Sequence, residues 1–220
     1  MLPETLFEEI EAVFFDAEGT LFVIYPSVGH VYARICKEHG LLVSPQEMER
    51  HFREVFATLR KKNFRLDPEG CFTYWRQVFQ ETVRRFGSLD DLDAAFKKCY
   101  QAFASKENFR LNPGARESLT YLRKKGKKLA LISNWDERLR ALVADFGLED
   151  LFEEIVISCE VGYAKPEPEI YLLTCRKLAV DPEKVLMVGD QLEEDVWAAR
   201  KAGLWALRYP GGDLRRLFKK

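Results

Sequence analysis

The apolar residues of this chain fall into two textures. From about residue 25 to residue 108 they recur at helical spacing, and the punctuation between them is helical too. Pro26 to Glu38 reads as one helix, stopped by Gly40. Ser44-Pro45-Gln46-Glu47 is a capping-box signature with proline at the first helical position, so a second helix starts there. Asp67-Pro68 opens a third, which ends near Phe86-Gly87. Asp90 or Asp91 opens a fourth, carrying Phe96, Tyr100 and Phe103. No run in this stretch reads as a strand, and a small helical bundle is the expected result.

Elsewhere, short apolar runs alternate with helical patterns. Strands are predicted at 11–15, 128–132, 154–158, 185–189 and 204–208. Helices are predicted after Asn112-Pro113-Gly114 as far as Lys125, from about Asp136 to Phe146, after Pro168, and up to Ala202. Such alternation implies an α/β fold with a mostly parallel sheet covered on both faces. The helical block is then an insertion behind the first strand. The expected division is a core of residues 1–21 and 109–220, with an inserted domain of residues 22–108.

Composition removes some classes of function. The 220 residues are 47% hydrophobic, enough for one good core or a core with a smaller second unit. Lysine and arginine number 34 against 35 acidic residues, so no electrostatic footprint for nucleic acid or an anionic membrane is expected. No apolar stretch approaches the roughly 18 residues of a membrane span. Met1-Leu2-Pro3-Glu4 lacks the basic start of a secretory signal, which leads to a cytoplasmic expectation. Five cysteines without a Cys-x-x-Cys spacing speak against a zinc site or a disulfide framework.

The candidate chemistry lies at the strand ends. Val13-Phe14-Phe15 closes on Asp16-Ala17-Glu18-Gly19-Thr20, Leu129 to Ile132 closes on Ser133-Asn134, and Val185 to Val188 closes on Gly189-Asp190, with Asp195 beyond. Lys165 stands in Ala164-Lys165-Pro166-Glu167-Pro168. If the runs are parallel strands, their carboxyl ends share the crevice in which open α/β sheets bind ligands. Asp16 then reads either as a nucleophile or as a turn cap. Asp190 and Asp195 read as helix-capping groups or, with Asp16, as hard oxygen ligands of the kind that suit Mg²⁺. Ser133-Asn134 offers a strand-to-helix turn favourable to an anion, and Lys165 offers the compensating charge.

In their order, Asp-x-x-Gly-Thr-Leu, Ile-Ser-Asn, Lys-Pro-x-Pro-x-Ile and Val-Gly-Asp-x-x-x-x-Asp resemble the haloacid dehalogenase-like hydrolase superfamily. The helical block resembles its alpha-helical cap (C1, subfamily I) type. The resemblance implies a Rossmann-like parallel sheet core with helices on both faces and an inserted all-helical cap domain. It implies Asp16 as nucleophile and metal ligand, and Ser133 with Asn134 as phosphate-binding residues. Lys165 would steady both nucleophile and substrate. Asp190 and Asp195 would hold Mg²⁺, with the backbone carbonyl of Glu18 as a further ligand.

Glu18 is the departure, since phosphatases of the family usually carry aspartate there as general acid and base. The implied activity is a Mg²⁺-dependent phosphatase of a small phosphorylated metabolite, working through an aspartyl-phosphate as monomer or homodimer. The alternatives are a 2-haloacid dehalogenase-type hydrolase and a catalytically weakened binding or regulatory protein. Tyr25, Phe72, Tyr74, Trp75 and Arg76 are either substrate-selecting residues of the cap or part of its core.

Overall fold

The computed structural model describes residues 4–61 and 64–218. In chain order the helices are α1 (Glu4–Glu9), α2 (Val28–Glu38), α3 (Pro45–Leu59), α4 (Pro68–Arg84), α5 (Leu92–Ala102), α6 (Ala115–Lys124), α7 (Arg138–Asp145), α8 (Ser158–Val161), α9 (Pro168–Leu178) and α10 (Ala198–Lys201). The strands are β1 (Ala12–Phe15), β2 (Phe22–Ile24), β3 (Phe109–Leu111), β4 (Lys128–Ser133), β5 (Glu154–Ile157), β6 (Val185–Gly189) and β7 (Trp205–Arg208). The chain divides into two compact units, Met1–Val23 with Leu111–Lys220, and Ile24–Arg110.

The first unit is built on a parallel sheet in the order β5-β4-β1-β6-β7. β1 lies at its centre, and every residue of it is buried. A strand covered on both faces must be apolar throughout, which is why Ala12-Val13-Phe14-Phe15 shows no alternation. On one face Ala12, Phe14, Ala130, Ile132, Val185 and Met187 pack with Ile170, Tyr171 and Ala199 into a continuous core. β2 and β3 pair as a separate two-stranded sheet.

The second unit contains α2 to α5. Ser27, Ser44, Asp67 and Asp91 each accept a backbone N–H from the first turn of the following helix, satisfying donors that have no partner within it. Ser44 Oγ also donates to the Glu47 carboxylate at 2.7 Å, which completes the capping box. Aromatic rings fill the interior. Tyr32 meets Phe52, Phe79 and Phe103 edge-on, and Phe72 does the same with Phe96 and Tyr100. Arg76 pairs with Asp93. Phe72 therefore packs within the bundle, as aromatic residues at helical spacing usually do.

Two sequence expectations need correction. The helix expected after β6 is α-helical only at its end, because Leu192–Trp197 is a π-helix that continues into α10. The run expected as a strand to residue 158 turns helical at Ser158, where α8 begins. Among the described residues, no helix is long and apolar enough to cross a membrane.

Candidate active site

Strand register brings Asp16, Ser133 and Asp190 together. Phe15 is level with Leu131 on β4 and Val188 on β6. Asp16 therefore emerges from the central strand between Ser133 and Asp190, each one residue further along a neighbouring strand. Strands about 4.8 Å apart put three such side chains within reach of one small ligand.

The loop behind Asp16 is closed by local hydrogen bonds. Leu21 N–H donates to Ala17 C=O at 2.8 Å, and Gly19 N–H donates to Phe22 C=O at 2.8 Å. Asn112 fastens it from outside, its amide donating to the Gly19 and Thr20 carbonyls. Gly19 has φ +94°, and a Cβ there would come 2.7 Å from the Asp190 carboxylate. Glycine is needed here both for the backbone conformation and for the close approach.

Lys165 completes the cluster. It is 4% exposed, and its Nζ donates to Asp16 Oδ1 and Asp195 Oδ1, both at 2.6 Å. Burial alone would push the ammonium down, but the carboxylates of Asp16 and Asp195 outweigh it and hold Lys165 above its ordinary value. Asp195 reaches this position from the π-helical turn, and its other oxygen accepts Gln191 N–H at 2.9 Å. The wide turn carries Asp195 inward to full burial, whereas Asp190 stays partly exposed.

Ligand oxygens of Asp16, Asp190 and Asp195 lie within 4.8 Å of one another. Three carboxylates face a single ammonium, so the cluster lacks positive charge. Burial pushes Asp16 up to about 7, and it raises Asp190 as well. Asp16 Oδ2 is buried and has no hydrogen-bond partner among the described residues. An orphaned carboxylate oxygen beside two further carboxylates is what a hard divalent cation would satisfy, so the residues present fit a metal.

The other sequence candidates are placed as follows. Ser133 closes β4 and is buried. Glu18 is exposed and does not belong to the carboxylate cluster, although the backbone of residue 18 bridges to Phe22. Asn134 turns its amide back to Lys165, accepting its N–H at 2.8 Å and donating to its C=O at 2.7 Å. Sequence reasoning missed Glu194, whose carboxylate accepts from Asn134 at 3.2 Å, because Asp195 next to it carries the recognisable spacing. It also missed Tyr171, buried in α9, whose hydroxyl donates to the Glu194 carbonyl. Only the aromatic character of Tyr171 was visible, and that character reads as core.

The family model for haloacid dehalogenase-like hydrolases matches residues 10–203. The chain belongs to that family. A haloacid dehalogenase-like hydrolase domain-containing protein 3 from Xenopus laevis is 31% identical over 89% of this chain and 82% of its own length. A phosphorylated carbohydrates phosphatase from Thermotoga maritima is 32% identical over the same shares of the two chains. Among solved structures, the L-2-haloacid dehalogenase from Xanthobacter autotrophicus with chloropropionic acid covalently bound has a TM-score of 0.66 at 26% identity, over 90% of this chain and 77% of that one. This hydrolase thus has relatives of both kinds, and the chemistry of its own site must distinguish them.

Proposed function

We propose that this hydrolase is a Mg²⁺-dependent phosphatase of a small phosphorylated metabolite, acting through an aspartyl-phosphate. The observation that carries the reading is the orphaned Oδ2 of Asp16 beside Asp190 and Asp195. A displacement at carbon has no use for three clustered carboxylates, whereas transfer of a dianionic phosphoryl group requires a cation to offset their repulsion. The phosphatase relative supports the same choice.

In this reading Asp16 attacks phosphorus and the bond to the leaving oxygen breaks. Lys165 holds the nucleophile through Oδ1, leaving the second oxygen available. Ser133 and backbone amides at the end of β4 receive the phosphoryl oxygens. Mg²⁺ held by Asp16, Asp190, Asp195 and the carbonyl of residue 18 would neutralise charge on the transferring group. Water then attacks the aspartyl-phosphate, phosphate leaves, and the Asp16 carboxylate is restored. The reading includes a helical cap formed by the inserted unit, a cytoplasmic setting, and a monomer or homodimer that works without nucleic acid or membrane.

The test is phosphate release from a generic aryl phosphate. Purified protein is expected to lose activity on dialysis against a chelator and to recover it on adding Mg²⁺. Chloride release from a 2-chloroacid without metal, and no phosphate release with it, would overturn the assignment in favour of dehalogenation.

Glu18 is assigned the proton transfers, giving a proton to the leaving oxygen and taking one from the attacking water. Its carboxyl sits on one methylene more than that of aspartate, so reach limits it. Glu18→Gln is therefore expected to lower turnover by about 10²-fold, while Glu18→Asp keeps or raises it. An unchanged rate in Glu18→Gln would remove Glu18 from the mechanism and favour a weakened regulatory protein.

A further inference from the structure

We infer that the side chain of Asn134 positions Lys165 and does not bind the substrate. Its carbonyl oxygen accepts Lys165 N–H at 2.8 Å, and its amide nitrogen donates to Lys165 C=O at 2.7 Å and to Glu194 Oε2 at 3.2 Å. A peptide N–H only donates and a peptide C=O only accepts, so these contacts settle which way the amide points. Both side-chain amide hydrogens are thereby committed. The Asn134 side chain has no donor left for a phosphate oxygen, and the Glu194 carboxylate beside it repels an anion.

Two hydrogen bonds to one residue fix the Lys165 backbone in rotation as well as in place. Lys165 carries its charge on a flexible four-carbon stem, and that charge must bridge two carboxylates on separate elements. Anchoring the base of the stem restricts where its tip can go. Glu194 orients the amide, and the Tyr171 hydroxyl, bound to the Glu194 carbonyl, steadies the turn that supplies it. The sequence context of Asn134, directly after Ser133, gives it the appearance of an anion ligand. Its hydrogen bonds give it a different task.

The kinetic part of the test rests on the phosphatase reading, and a spectroscopic part does not. In protein labelled with ¹⁵N-lysine, the buried Lys165 ammonium should give a slowly exchanging Nζ–H signal, assigned by its loss in Lys165→Arg. Asn134→Ala and the near-isosteric Asn134→Asp are expected to broaden or lose it, with kcat reduced about 10- to 100-fold. KM and inhibition by inorganic phosphate should change less than about threefold, because a lost positioning contact acts on turnover. A retained signal with phosphate inhibition weakened tenfold or more would make Asn134 a substrate ligand and overturn the inference. Absence of a protected signal in the unmodified protein would overturn it too. If the protein releases no phosphate, the phosphatase reading fails by itself and the ammonium signal still decides. If Asn134→Ala does not fold, Asn134→Asp carries the comparison.

Discussion

Asp16→Asn is expected to lower phosphate release by about 10⁴-fold or more, since an amide cannot form the covalent intermediate and loss of a nucleophile is seldom compensated. Each decade corresponds to ~1.4 kcal/mol of barrier. The change should leave the fold intact. Burial pushes Asp16 up to about 7 in the metal-free protein, above the ordinary 3.8 of a carboxyl. A raised folded-state value means that the benefit to stability is complete below about 4 and is lost as the pH rises through 7. The asparagine variant cannot ionise and escapes that loss. Without metal at pH 8 it should melt no lower than the unmodified protein, while its activity is gone. Turnover retained by Asp16→Asn would refute the aspartyl-phosphate, and a collapsed fold would show that Asp16 is structural.

Lys165→Met should combine both kinds of damage. It removes the cation between Asp16 and Asp195 and leaves two buried carboxylates without it. Breaking a buried pair from one side costs about 3–5 kcal/mol, because the remaining charge is desolvated and uncompensated. Denaturant unfolding should show that loss at neutral pH and a smaller one in acid, where a stranded carboxyl takes up a proton. Turnover should fall by about 10²- to 10³-fold, the usual effect of removing a preorganised electrostatic group. A variant as stable as the parent at neutral pH would mean that the ion pairs contribute nothing to the fold. Divalent metal should restore part of the stability, since it supplies the missing charge from the other side of the cluster.

Much of this site could be read from the chain because it is encoded by local pattern. The closing residues of β1, β4 and β6 follow apolar runs too short for helices, and parallel register aligns them. Parallel topology therefore gathers Asp16, Ser133 and Asp190, while Asp195 follows only from its spacing to Asp190. The helix starts at Ser44, Asp67 and Asp91 were legible for a similar reason, since the cap lies within three residues of the amide it satisfies.

What escaped depends on atoms far apart in sequence or on unusual backbone. No pattern in Leu192–Trp197 marks a π-helix, yet that turn decides how deeply Asp195 is buried. Asn134 looks like an anion ligand because its neighbour Ser133 does, and nothing local marks its bonds to Lys165, 31 positions away. Tyr171 looks like core because it is core, except for one hydroxyl. In each case an ordinary residue type is assigned its task by a tertiary contact.

The central place of β1 also bears on how the protein is made. Phe15 has to wait for Val188, 173 positions later, before its second flank can pair. At the ~5–20 residues per second of synthesis, that delay is roughly 10–35 s. Throughout it, Val13-Phe14-Phe15 is an apolar segment on a nascent chain without its complete sheet, and the bundle that follows can already fold from its own nearby contacts. Asp16, which follows this strand directly, is thus made long before the neighbour that flanks it on β6. Chaperone demand during translation should fall on this strand rather than on the helices.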